Sequence, residues 1–221
     1  MGASEKAVFP PTVSMELPGW GLFWAELVAT GEGSEALARL RREVAERVRD
    51  SHRLEELPDH PTVAAVRKLF RQAGCDPTRW RPSSEALARR VLKGEELPAI
   101  SPLVDINNCL SLELLVPACV MAAGTVRGKV TLRAGKPGET MLSLRGPVGL
   151  EGKPLLADEE GPFGTPITDS QRVKVTPETQ EAWLVVYLPM GVVEENCVHS
   201  ALDFLVNQAP VARVVASAFT G

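Results

Sequence analysis

The chain has 221 residues, of which 44% are hydrophobic and 24% charged, with a formal net charge of -4. It is long enough to bury a full core and carries neither a basic-plus-apolar leader nor a membrane-spanning run, so one cytoplasmic domain of ordinary composition is expected. The cysteines at 75, 109, 119 and 197 are scattered and form no CxxC pair, which points to reduced, largely buried thiols. The three histidines are not spaced with a cysteine as metal ligands, so no metal is expected. No phosphate-binding glycine loop and no GxSxG elbow occurs, and no cofactor is expected.

Along the chain, an apolar run at 21–29, with Trp20 and Trp24 around it, reads as an early strand, and Pro10, Pro11 and Pro18 make the part before it loop-like. Ser34 is placed to cap a long helix in which Leu37, Leu40, Val44 and Val48 recur at helical spacing. A second helix is expected over 62–73, with Val63, Val66 and Phe70 inward and Gly74 as its stop. A third is expected from Ser83 or Ser84 to Lys93, with Leu87 and Val91 inward and Gly94 as its stop. Between Val63 and Lys93 eight basic residues face only two acids, Asp76 and Glu85. On an acidic chain such a belt, in particular Arg67, Arg71, Arg81, Arg89 and Arg90, can track a phosphate backbone. The alternative is that long cations coat two amphipathic helices as solvated faces.

The stretch 98–117 carries the candidate chemistry. Pro98 and Pro102 hold the backbone extended, Asp105 is a good N-cap, and Ile106, Leu110, Leu112, Leu114 and Leu115 mark a short apolar helix that Pro117 ends. On this reading Asn107 and Asn108 lie in the first turn, where amide donors and acceptors can point at a ligand. Equally, they can satisfy buried backbone in a turn.

Beyond Pro117 the texture becomes strand-like, with candidate strands at 118–123, 129–133, 140–144, 154–157, 171–175 and 182–188. Segments 135–138 and 158–166 read as loops, the second long enough to overhang a pocket. A helix over 194–207 and an apolar run over 211–218 complete an α+β domain, with helices packed around a central mixed or antiparallel sheet. A strand and a helical part fill 1–97, the sheet part 98–190, and a helix and strand 191–221.

The order of motifs is specific. It comprises 81–94, the Pro98 to Pro102 spacer, Leu103-Val-Asp-Ile-Asn-Asn-Cys-Leu-Ser-Leu112, Pro154-Leu-Leu-Ala-Asp-Glu-Glu-Gly-Pro162 and Asp169-Ser-Gln-Arg-Val-Lys-Val-Thr-Pro-Glu-Thr179. From about His60 to Pro189 the chain resembles the B3/B4 module of the phenylalanyl-tRNA synthetase beta subunit in its free-standing form. The resemblance implies a pocket that hydrolyses tyrosine wrongly esterified to the phenylalanine tRNA, with a positioned water. It implies pocket roles for Asn107 and Asn108. Asn108 matches a family asparagine, Asn107 stands where threonine is usual, and Cys119 stands where bacterial synthetases carry a histidine. The family's acidic residue falls near Thr168 and Asp169, beside Ser170; Asp169 is the favoured position, to orient the water or hold the substrate amine, although Asp169-Ser170 also reads as a simple turn.

An aminoacyl ester needs no protein nucleophile, because a positioned water and donors to the oxyanion supply the chemistry. A Cys119 thiolate would need an electropositive setting that its sequence neighbours do not provide. Two functions follow from the resemblance. One is trans-editing hydrolysis of mischarged aminoacyl-tRNA; the other is a tRNA- or amino-acid-binding module without turnover. Convergence of Asn107, Asn108 and Asp169 on an open cleft would favour the first and a filled one the second. The chain shows no ATP site, synthetase core or anticodon-binding module, so it is not expected to charge tRNA, and no membrane or obligate synthetase subunit is expected as partner.

Overall fold

The computed structural model of the protein describes residues 5–31 and 34–221. Its longest apolar runs build one antiparallel sheet. The runs β2 (Trp20–Ala29) and β9 (Glu181–Pro189) lie at its centre, and β10 (Ala212–Thr220) and β3 (Ala118–Ala122) lie at its edges, in the order β10-β2-β9-β3. Every residue of β9 after Glu181 is buried, as a strand covered on both faces requires. The two-residue period then sorts its side chains. Leu184, Val186 and Leu188 join Phe23, Ala25, Leu27, Ala118 and Val120 in one core, whereas Trp183, Val185 and Tyr187 join Leu22, Trp24, Cys119 and Met121 in another.

The first core is closed by four helices, α1 (Ser34–Ser51), α3 (Ser83–Leu92), α4 (Pro102–Leu114) and α5 (Glu195–Gln208). Their inward stripes, such as Leu37, Leu40, Val44 and Val48 on α1, keep the expected helical period. Ser34 is the first helical residue, and the capping position before it lies outside the described residues. The second core lies between this sheet and a second one of order β1-β4-β7-β8, formed by β1 (Val13–Met15), β4 (Val130–Ala134), β7 (Pro154–Asp158) and β8 (Gly161–Gly164). Here Val130, Leu132, Leu156 and Phe163 meet Leu22, Trp24 and Tyr187, and α2 (Pro61–Ala73) adds Val66, Leu69 and Phe70. Full burial of each such side chain contributes about 1.5–3 kcal/mol. A hairpin of β5 (Thr140–Ser143) and β6 (Gly146–Gly149) packs Met141 on Leu150 and Leu155.

The α+β class holds, and the sheets are antiparallel and mixed as expected, since β1 runs parallel to β4. Three local expectations are corrected. Segment 158–166 is not an overhanging loop: Gly161, at φ 113°, allows a tight turn, and the chain returns as β8 against β7. Segment 171–175 forms no strand; Ser170 Oγ accepts from Arg172 N and starts a short 3-10 turn, Gln171–Val173. The proline-flanked stretch before Gly19 supplies β1, which Pro10 and Pro18 disguise in the sequence. No described helix is long and apolar enough to cross a membrane.

Candidate functional site

The helix α4 begins earlier than expected. Pro102 is its first residue, a position where the missing N–H costs nothing, and Ser101 is the N-cap. Asp105 therefore sits inside the helix rather than capping it. Its carboxylate accepts from Ile100 N at 2.9 Å and is ion-paired with Arg41 of α1. Asn107 and Asn108 consequently occupy the second turn of a helix that is buried almost all round. Asn107 is buried and Asn108 half-buried.

The location of β3 gives Asn107 its partner. Tyr187 N donates to Pro117 O, so the alternation of an antiparallel ladder turns the next carbonyl, that of Ala118, away from β9 to the free edge of the sheet. Asn107 Nδ2 donates to that carbonyl at 3.4 Å, while its Oδ1 is sealed from solvent without a partner. The half-buried Asn108 amide makes no hydrogen bond among the described residues, and no contact joins it to Asp169 there.

On the opposite face of β3, Cys119 Sγ donates to Thr165 O at 3.4 Å and lies 3.8 Å from the Tyr187 hydroxyl. Thr165 organises the loop: its Oγ1 donates to Thr168 O at 2.8 Å and accepts from the Ile167 and Thr168 amides. Ser83 N, at the start of α3, donates to Pro166 O at 2.9 Å. Hydrogen bonds thus tie α4 to the β3 edge, β3 to the Thr165 loop, and that loop to α3.

Asp169 lies at the inner end of this loop, where its carbonyl accepts from Leu144 N at 3.0 Å. The residue is half-buried, but Oδ1 is sealed and unpartnered, and no cation pairs with it among the described residues. Burial pushes its carboxyl from the ordinary 3.8 up to about 7. The nearby Cys119 thiol offsets part of that shift, although in the observed geometry the thiol's hydrogen bond goes to Thr165 O. Burial, and then the Asp169 charge, hold Cys119 well above the usual thiol range, so it is a neutral thiol at neutral pH. Ser170 is committed to the 3-10 turn, and Thr168 supplies its carbonyl to Thr165.

The arginines are placed differently from one another. Arg67, Arg81 and Arg89 converge on one oxygen of Glu85, at 3.3, 3.4 and 4.0 Å, and Glu85 is 1% exposed. Arg90 pairs with Glu95 at 3.1 Å on the surface, and Arg71 is exposed without an ion pair among the described residues. The sequence did hold a signal for the Glu85 cluster, because Glu85 and Arg89 are spaced four apart on α3 and Arg81 lies four residues before Glu85. Tyr187 and Thr165 were missed as site residues. Tyr187 is the chain's single tyrosine, set in an aliphatic strand, and a lone hydroxyl there needs a partner. The two best-formed surface depressions, of about 440 and 380 Å³, are lined by residues around His52 and His60 and around Leu69 and Met190, and neither includes Asn108 or Asp169.

A model of the B3/4 domain matches residues 65–200, more than half of the chain. The chain belongs to the B3/4 domain family. No curated protein matches it. Among solved structures, this B3/4 domain is similar to an N-terminal fragment of the phenylalanyl-tRNA synthetase beta subunit from Pyrococcus horikoshii, at 13% identity and a TM-score of 0.48. That alignment covers 100% of this chain and 57% of the fragment. The matched family region contains both asparagines, Cys119, Asp169 and the Glu85 cluster.

Proposed function

We propose that this B3/4 domain receives the aminoacylated end of a tRNA between α4, β3 and the Thr165 loop, and hydrolyses the ester with a positioned water. Family membership supports the substrate class. The observation that carries the chemistry is Asp169, a half-buried acid without a cation partner among the described residues, pushed up to about 7. A carboxyl of that strength can take a proton from water near neutral pH. The water oxygen then bonds to the ester carbonyl carbon, the Asn108 amide donates to the developing oxyanion, and the bond to the tRNA ribose oxygen breaks as that oxygen takes back the proton held by Asp169. Asn107, whose Nδ2 is already committed to Ala118 O, positions α4 against the sheet edge. Arg71 and Arg90 extend outward for phosphate contact, and Arg67, Arg81 and Arg89 reach the backbone only through the margins that Glu85 leaves free.

A panel of aminoacyl-tRNAs, assayed for deacylation, tests this reading. Asn108→Ala is expected to slow hydrolysis roughly a hundredfold, the scale of losing one oxyanion donor. Its stability should change little, because the Asn108 side chain makes no hydrogen bond among the described residues. Wild-type protein that deacylates no member of the panel would remove the enzyme. The second reading, binding without turnover, is favoured by two observations: the space beside Asp169 is filled, with Oδ1 sealed and Tyr187 0% exposed, and position 119 holds a neutral thiol bonded to Thr165 O rather than an imidazole to share the Asp169 proton.

A further inference from the structure

We infer that Tyr187 sets the substrate range of this site: by filling the space beside Asp169 with the chain's own aromatic ring, it restricts the aminoacyl group to small side chains. The inference rests on the reading that this site holds the aminoacyl end of a tRNA, and it adds which amino acids fit.

Tyr187 projects from β9 into the core between the two sheets and is 0% exposed. Its ring stands edge-on to Trp20, with centroids 6.2 Å apart at 79°, so it is packed in place. Its hydroxyl reaches 3.8 Å from Cys119 Sγ. Gly164 locates that hydroxyl relative to the acid. A β-carbon built on Gly164 would lie 3.5 Å from the Tyr187 hydroxyl and 3.5 Å from Asp169 Oδ1. The two oxygens therefore border the same small space over the glycine. Cys119, at 3% exposure, closes a further side of it.

Two consequences follow. An aminoacyl group whose ester lies at Asp169 meets the Tyr187 ring where its own side chain would have to go, and a phenyl or phenol finds no room. A glycyl group can present its ester to Asp169 without entering that space, and an alanyl or seryl group reaches only into the one-carbon gap over Gly164. A filled pocket rejects larger ligands sterically, whereas an open apolar one rejects smaller ligands only weakly, by 10–200-fold per methylene as a rough guide. Rejection of aromatics is therefore the sharper discrimination available here.

The test measures binding and turnover in parallel on the full chain. Non-hydrolysable 3′-aminoacylamino-3′-deoxyadenosines carrying glycyl, alanyl, seryl, phenylalanyl and tyrosyl groups are titrated calorimetrically, and the corresponding aminoacyl-tRNAs are assayed for deacylation. The small analogues are expected to bind at least tenfold more tightly than the aromatic ones. Tyr187→Ala should narrow that gap, and Tyr187→Phe, which keeps the ring, should preserve it. Because Tyr187→Ala can fail to fold, Gly164→Ala serves as a second variant: its methyl enters the same space at an ordinary contact distance and should weaken seryl binding several-fold relative to glycyl. Aromatic analogues binding as tightly as small ones to the wild type would overturn the inference, as would an unchanged seryl-to-glycyl ratio in Gly164→Ala. Selective binding without deacylation would remove the hydrolase and keep the inference. Deacylation of aromatic esters would do the reverse, and no binding of any analogue would remove both.

Discussion

Two acids of this protein meet burial in opposite ways. Glu85 is held among three guanidiniums of α2, α3 and the turn between them, within 4.0 Å of each. Asp169, facing Cys119 and Tyr187, has no cation among the described residues, and burial pushes it up to about 7. The same functional group thus becomes a fastener in one region and a titratable site in the other. The difference is the supply of charge: a buried carboxylate surrounded by arginines locks elements together, whereas one without them keeps a proton that it can exchange near neutrality.

The largest effect should come from removing the fastener. Glu85→Ala leaves three mutually repelling arginines, two of them mostly buried, and should cost about 3 kcal/mol in denaturant unfolding. A loss below about 1 kcal/mol would mean that solvent already satisfies these arginines and that the contrast with Asp169 is overdrawn.

Next comes the pH dependence of Asp169. Its folded value lies above its unfolded one, so its contribution to stability is fully present below about pH 4 and is lost as pH rises through about 7. Wild type should therefore lose about 2–3 kcal/mol between pH 5 and pH 8 that Asp169→Asn does not lose, read from denaturation at the two values. Hydrolysis should move the other way, rising as Asp169 deprotonates near pH 7. A flat stability difference between the two proteins would place the carboxylate in water.

A smaller effect separates the free arginines from the fastened ones. Arg71→Glu should weaken tRNA binding roughly tenfold and lower the salt-dependence slope by about one, without altering unfolding. If tRNA affinity is unmoved, Arg71 is a solvated side chain and no more. The smallest effect is expected for Cys119→Ser, whose hydroxyl can make the same bond to Thr165 O. Activity should stay within a few-fold, and its complete loss would reveal a covalent thioester.

The candidate site was legible in part. Residue types and order single out Asn108 and Asp169 as candidates; Asp169 lies beside Cys119 with Oδ1 sealed, and no contact among the described residues brings Asn108 to it. What misled was the helix start. Asp105 has the chemistry of an N-cap, but Arg41, sixty-four residues away, claims its carboxylate, and Ser101 with Pro102 begins the helix a turn sooner. The arginine belt misled in the same manner, because a row of cations in sequence does not show which of them a buried acid will gather.

The sequence by itself determined α1, α2, α3 and α5 and the long strands β2 and β9, since hydrophobic period, glycine stops and apolar runs are properties of neighbours along the chain. Gly74, in the left-handed conformation with φ 96°, ends α2 where a stop signal reads. Only the tertiary structure decided that Gly161–Gly164 is a strand, because pairing with β7, and not the propensity of Gly-Pro-Phe-Gly, supplies its hydrogen bonds. It alone also decided the fate of Asp169. Whether a buried carboxyl is charged, fastened or free to titrate depends on what fills the space around it, and here the fillers, Cys119 and Tyr187, lie 68 residues apart and on different strands.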